Sequence, residues 1–481
     1  MHQLLFFTAI AVAVAALALS LLQRREDRAL ARPVISLAWV LFGASLMCWI
    51  LLKHGPLGVY WEGSQADVAV LLPWIASTAC VYANAVKPEL ARLRVFCAST
   101  SLAMAFVALT VVRDGTAIPT LGYPSYVNDS LITLAISTFA FALISLMYLP
   151  KGRARERRLF SSRNLSMVIV ACMLLSIASC TVGLIYPKLF GVTLKPIYYK
   201  QSCYPFLVAM VFSLLAMASQ DYLDDKRVKS LLALSFGAGL VSVIAPIPFI
   251  PTTADALANF ILPPAIIASL VFTYSIFETS RRKLLKTPLS TLRKVSGRLL
   301  NVGLLLVLVG FLLSSTSLIT TGDFYLSVGE VFAPESPWEW VGAHTYLESI
   351  RLVWMSGELK EEVISIGGRP FTWVSPEYYQ AKLRITVITG APVGSGFIDY
   401  LKEPGWGTSF SPYVYRGLDK EVHVCATSVN FTEDGEPIGA MLRISVSHYP
   451  SLMWIGSFLL ISSVVIEVAP SEKIQRKFRW R

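Results

Sequence analysis

Residues 153–187 read RARERRLFSSRNLSMVIVACMLLSIASCTVGLIYP, with Arg153, Arg155, Arg157 and Arg158 leading into an apolar run from 164 to 186. A run longer than about 18 residues is enough to cross the hydrocarbon core, where a helix is the open-chain structure that satisfies its own backbone polar groups. The arginines resist translocation and so fix the end that stays on the cytoplasmic side. The stretch therefore predicts a membrane helix that enters from the inside.

Working outward, similar apolar runs occur at 3–22, 33–52, 68–86, 95–112, 129–149, 204–219, 230–251, 256–277, 299–320 and 451–469. The chain is 54% hydrophobic and 15% charged, against roughly a quarter charged in soluble domains, which excludes a soluble enzyme. With the N-terminus outside, the inside segments hold 28 of the 42 Lys and Arg, and the short outside loops hold five. A second basic run, Arg281, Arg282, Lys283 and Lys286, falls inside in the same register. The net charge of +11 is thus a topological signal and not a nucleic-acid footprint. The first span resembles a signal peptide, but it is longer than a usual apolar h-region and its basic residues Arg24, Arg25 and Arg28 follow it, so it reads as a retained helix.

Residues 321–450 break the pattern, with nine basic against sixteen acidic residues. Within them Lys382-Leu-Arg-Ile-Thr-Val-Ile, Glu421-Val-His-Val-Cys and Met441-Leu-Arg-Ile-Ser-Val-Ser alternate apolar and polar residues, the period of a half-buried strand. The expected fold is an all-α polytopic membrane bundle of about 11 helices with one extracytoplasmic all-β domain. Residues 1–320 supply helices 1–10 and an outside aromatic loop at 53–74, 321–450 the β domain, and 451–481 the last helix and a basic cytoplasmic tail. The expected location is the cytoplasmic membrane, with the N-terminus and 321–450 outside and the C-terminus inside.

Residues suited to chemistry are few. Seven cysteines are scattered, five of them (Cys48, Cys80, Cys97, Cys172, Cys180) inside expected spans, and no CxxC occurs. Thiol–disulfide chemistry is therefore expected on another protein. The spans hold almost no ionisable side chains, which disfavours a proton-coupled pump. Pro246, Pro248, Pro251, Pro263 and Pro264 are candidates for broken transporter helices, or simply shape turns near span ends. The loop Lys53-His-Gly-Pro-Leu-Gly-Val-Tyr-Trp-Glu-Gly-Ser-Gln-Ala-Asp leads into Leu71-Leu-Pro-Trp. Tyr60, Trp61 and Trp74 there read either as an interfacial aromatic belt or as a platform for a planar ligand, with Glu62 and Asp67 at its rim.

From Arg32-Pro-Val-Ile-Ser-Leu-Ala-Trp through Trp49, Gly58-Val-Tyr-Trp-Glu-Gly-Ser-Gln-Ala-Asp and Leu71-Leu-Pro-Trp-Ile-Ala-Ser-Thr-Ala, the chain resembles the tryptophan-rich haem-handling segment of the CcmF family of cytochrome c maturation proteins. Val111-Val-Arg-Asp-Gly, Ser162-Arg-Asn, Gly183-Leu-Ile-Tyr-Pro, Tyr198-Tyr199, Leu300-Asn-Val-Gly and Leu442-Arg-Ile-Ser-Val-Ser-His-Tyr-Pro follow in matching order. The resemblance implies a haem lyase subunit that receives haem b on the outer side and presents it to apocytochrome c. It also implies partners among the other maturation subunits.

Longer family members carry a further N-terminal helix block, with a histidine before two prolines, that this sequence lacks. A separate chain carrying that half is an expected partner. The family's aspartate-proline after the tryptophans reads Glu62-Gly-Ser here, and its membrane histidines fall at Tyr82 and Asn301. Counted from Lys87 and Arg298, both positions lie roughly 5 to 8 Å from the inner face. They read as packing polar residues or as a pair that holds haem, Tyr82 being a candidate axial ligand and the Asn301 amide a poor one. His54 is the other candidate iron ligand, and Arg113 a candidate for a haem propionate or a partner of Asp114. A transporter of a small amphipathic substrate and a non-haem scaffold subunit are the alternative readings.

Overall fold

The computed structural model describes residues 2–21, 25–57, 64–86, 91–115, 126–148, 160–191, 194, 196–244, 256–283, 288–316, 319–320, 324–332, 344–366, 369–388, 393–403, 407–417, 420–448 and 450–468. Over the described residues every apolar run of the sequence lies on a helix, except for residues 319–320 at the end of one run, which form a short strand. The helices are α1 (His2–Leu21), α2 (Arg25–Leu57), α3 (Gln65–Val86), α4 (Ala91–Gly115), α5 (Tyr126–Tyr148), α6 (Ser162–Phe190), α7 (Pro196–Ser219), α8 (Asp225–Ile244), α9 (Ala256–Lys283), α10 (Pro288–Thr316) and α11 (Pro450–Val468). Eight are long and apolar enough to cross a membrane, and α5, α10 and α11 carry shorter apolar stretches at Ser130–Ser145, Val295–Gly310 and Ser451–Ile466.

Two boundaries differ from the hydropathy reading. Helix α2 runs through Lys53 and His54 to Leu57, and α3 already begins at Gln65, so the expected aromatic loop at 53–74 is helical at both ends. The reason is that an apolar window measures lipid contact, whereas backbone hydrogen bonding continues into polar turns at the interface. Helix α9 passes through Pro263 and Pro264 without a break, so these prolines do not make a discontinuous helix. Pro246, Pro248 and Pro251 lie outside the described residues.

The bundle packs α3 against α4 and α6, α6 against α7, α7 and α8 against α9, and α10 against α11. One core cluster gathers Trp39, Tyr82, Ile169, Leu214, Ile261, Leu305 and Leu460. At the end that the sequence assigns to the inside, Arg298 of α10 donates to Ser275 O at 2.8 Å and pairs with Asp221 at 3.0 Å. Beside them Tyr222 donates to Glu278 at 3.0 Å. Polar side chains thus close the bundle where apolar packing ends.

Helices α10 and α11 approach most closely, and glycine permits it. A methyl on Gly303 would stand 2.8 Å from Gly456 O, one on Gly456 2.7 Å from Val307 N, and one on Gly310 2.6 Å from Met453 N. Small residues let backbones touch where lipid offers no hydrophobic drive to association. Ser463 Oγ donates to Ser296 O at 2.8 Å across the same seam.

Between α10 and α11 the chain forms two antiparallel five-stranded sheets. One contains β1 (Ile319–Thr320), β2 (Phe324–Ser327), β8 (Tyr413–Arg416), β9 (Lys420–Phe431) and β10 (Pro437–His448). The other runs β3 (Val331–Phe332), β4 (His344–Ile366), β5 (Arg369–Ile388), β6 (Val393–Glu403), β7 (Gly407–Ser411) in chain order. Ala381, Leu383, Ile385 and Val387 of β5 face Val422, Val424, Ala426 and Ile444 across the shared core. Lys382 and Arg384, one residue out of phase, point outward and pair with Asp399 at 3.4 Å and Glu348 at 2.8 Å. The sheets are tied where Asn430 Oδ1 accepts from Val374 N at 2.8 Å and Tyr379 Oη from Val429 N at 3.1 Å.

Candidate functional site

The α2–α3 corner is built from the start of α3. Ser64 caps the helix: its hydroxyl accepts from Asp67 N at 3.3 Å, and Asp67 Oδ2 accepts from Ser64 N at 3.2 Å. This reciprocal arrangement satisfies two otherwise orphaned helix-end donors and puts a carboxylate at the positive end of the helix dipole. The second oxygen of Asp67 accepts the indole N–H of Trp49 at 2.9 Å, and the carboxylate is buried at 1% exposure. The corner is thereby clamped from both helices.

Two further tryptophans run down the α2–α3 seam. Trp39 donates to Thr78 Oγ1 at 2.8 Å, and Thr78 in turn donates to Trp74 O at 2.7 Å. The Trp39 and Trp74 rings lie 6.1 Å apart and tilted by 32°. Trp74 also presses on Gly43, where a methyl would come within 3.1 Å of its indole nitrogen. Trp74, expected in an outer aromatic platform with Tyr60 and Trp61, is partly buried in the α2–α3 seam. It sits nine residues into α3 and packs between helices, because Gly43 leaves it a slot there.

Tyr60, Trp61 and Glu62 lie outside the described residues. His54 and Arg113 are placed as backbone positions near the ends of α2 and α4, and their side chains are likewise outside the description. Asp67, expected at a platform rim, is instead the buried clamp described above.

Tyr82 and Asn301, 219 residues apart in the chain, meet in the bundle core. The phenol donates to Asn301 Oδ1 at 2.7 Å, and Asn301 Nδ2 reaches Met217 Sδ at 3.4 Å, so α3, α10 and α7 are joined at one point. Both side chains are buried, at 3% and 7% exposure. Two oxygen ligands on opposite sides of one metal ion stand about 4 Å apart, at roughly 2 Å per bond. The Tyr82–Asn301 pair is too close for that and already satisfies itself, so it does not fit as the axial pair of a resident haem.

Tyr82→Phe is accordingly expected to cost about 1 to 3 kcal/mol, because it strands the buried Asn301 carbonyl. Thermal unfolding in detergent measures the loss, and the haem content and spectrum of any bound haem should stay unchanged. A changed Soret band would make Tyr82 a ligand of the iron.

No family model and no curated protein matches the sequence. Among solved structures, one titled "Cytochrome c Heme Lyase CcmF" superposes with a TM-score of 0.68 over 98% of this chain and 72% of that one. The chain has the CcmF fold. At 13% identity the likeness is one of fold, and it reaches the same family that the ordered motifs resemble. The shared architecture is a multi-pass helical bundle carrying a β domain near the C-terminus. The resemblance runs through Trp49 and Asp67, but their pairing was not read from it. Only the Ser64–Asp67 spacing, a capping-box pattern, carried a local signal.

Proposed function

We propose that the chain is a haem-handling protein of cytochrome c assembly, which takes haem as a substrate on the outer side of the membrane and holds it against apocytochrome c. The observation that carries this reading is the fold shared with a protein titled a cytochrome c haem lyase, over nearly the whole chain. Covalent attachment to the two thiols of a CxxCH site needs reduced thiols, reduced haem and proximity more than it needs a general base. A protein that orients both partners therefore removes much of the barrier by positioning.

In this reading the clamped α2–α3 corner presents the segment 58–63, with Tyr60 and Trp61 as the stacking surface and Glu62 at its rim. His54 is the proposed contact to iron, and Arg113 the proposed partner of a propionate, since a guanidinium matches a carboxylate in a two-pronged fork. Haem brings the vinyl groups to which the thiols add, and the residues of the chain orient it. The β domain, net acidic over 321–450, positions the acceptor. The other maturation subunits, including a separate chain with the further helix block, complete the assembly.

The test is a pyridine haemochrome assay on the full chain purified in mild detergent from haem-replete cells, alone and with the separately encoded helix block. Haem that co-purifies in either case, and falls at least several-fold in Trp61→Ala while membrane insertion is unchanged, supports the reading. Haem in neither case overturns it. That outcome favours a scaffold subunit, the reading to which the self-satisfied Tyr82–Asn301 pair lends support.

The orientation has its own test. Single cysteines introduced at 321–450 are expected to react with an impermeant maleimide from outside, and those at 278–298 only after permeabilisation. The reverse pattern would invert every loop assignment.

A further inference from the structure

The sulfurs of Cys180 in α6 and Cys203 in α7 lie 3.4 Å apart. No motif spacing joins them, since 23 residues and a reversal of chain direction separate the two. Their meeting is imposed by the helix pair. Tyr199 donates to Gly183 O at 3.0 Å, and Tyr198 to Ser179 O at 3.5 Å. Both rings press on Gly183, where a methyl would stand 2.5 Å from Tyr198 and 2.7 Å from Tyr199. Gly183 thus admits α7 close to α6 within one turn of Cys180, and the tyrosines lock the axial register. Cys180 is buried beside Met104, Ile177 and Leu184, and Cys203 is partly exposed.

We propose that Cys180 and Cys203 are an oxidisable dithiol, which closes to an intramolecular disulfide and ties α6 to α7. The sulfurs must close from 3.4 Å to about 2.05 Å, with one S–S bond formed and two S–H bonds broken. Two electrons and two protons leave the pair. Both residues sit within apolar spans, Ser162–Tyr186 and Gln201–Ser219, so the acceptor arrives through the lipid phase. A lipid-soluble quinone meets that need and departs as the quinol. The expectation that thiol–disulfide chemistry belongs to another protein is then revised.

The test uses the full-length protein in mild detergent, incubated with a fully substituted short-chain quinone, which cannot alkylate thiols. After denaturation and N-ethylmaleimide treatment, the intact mass should show two adducts fewer than the seven cysteines allow, and dithiothreitol should restore them. Peptide mapping should join the Cys180 and Cys203 peptides. Cys80, which donates to Arg94 O at 3.7 Å, serves as an internal control that stays alkylatable. Cys203→Ser should lose no adduct to the quinone. Seven adducts on the quinone-treated wild-type chain, or a linkage between other cysteines, would overturn the proposal, and the wild-type map decides even if the variant fails to fold.

Discussion

Gly456→Val is expected to force α11 away from α10 and to cost ~3 kcal/mol or more, the upper range for overpacking a tight contact. The magnitude follows from what the side chain would meet. A Cβ at Gly456 stands 2.7 Å from Val307 N and 2.8 Å from Gly303 O, both backbone atoms that no rotamer change can move. Relief requires the helices to separate, and the Ser463–Ser296 hydrogen bond at 2.8 Å spans the same seam. Gly297→Ala is the matched control on α10, because nothing lies within 4 Å of its added methyl. A helical glycine changed to alanine without a clash gains about 1 kcal/mol, so the two substitutions should shift the detergent unfolding midpoint in opposite directions. Equal shifts would reject the close seam.

Asp67→Ala is the second large effect. It removes the acceptor of the partly buried Trp49 N–H at 2.9 Å and the acceptor of Ser64 N at 3.2 Å. Ser64 Oγ still accepts from the backbone N of residue 67, so the cap itself stays, but its return bond and the charge-assisted indole bond go, and losing hydrogen bonds to a charged acceptor costs about 1.5 to 3 kcal/mol. Asp67→Asn should fall between, since its amide oxygen still accepts from Trp49 while its NH2 opposes Ser64 N. Trp49→Phe keeps the cap and loses the indole bond, and the double variant should show a coupling of about 0.5 to 3 kcal/mol. Additive effects would mean that the indole and the carboxylate do not act as one clamp. On the proposed function, Asp67→Ala should lower haem retention together with the midpoint.

The bundle was legible in the sequence because an apolar run of membrane length has one solution in lipid. The core strands were legible for a similar reason, since Lys382 to Ile388 alternates with the pleat and one face must be buried. The long β4–β5 hairpin was not. Register shifts between Leu347 and Ser349, Leu352 and Trp354, and Ser356 and Leu359 each move the apolar set to the other face, so β4 shows no sustained alternation. Depth along a helix could be counted, which put Tyr82 and Asn301 at one level. Their contact depends on how each helix is turned about its axis, and packing sets that. The Cys180–Cys203 contact was hidden in the same way, as was the packing of Trp74 over Gly43, which leaves no trace in the sequence around either residue.

The glycine seam also bears on how the β domain holds together. Helix α10 ends at Thr316 and α11 begins at Pro450, and the first and last strands pair directly, Ile319 with Val446. The two stems therefore clasp the ends of a segment of about 130 residues, as a hairpin clasp closes a ring. A ring has fewer ways to be unfolded than an open chain. On the chain-entropy account, closing a loop of about 100 residues removes roughly 5 kcal/mol of unfolded-state freedom. Part of the domain's resistance to unfolding is thus stored outside it, in glycines buried in the membrane.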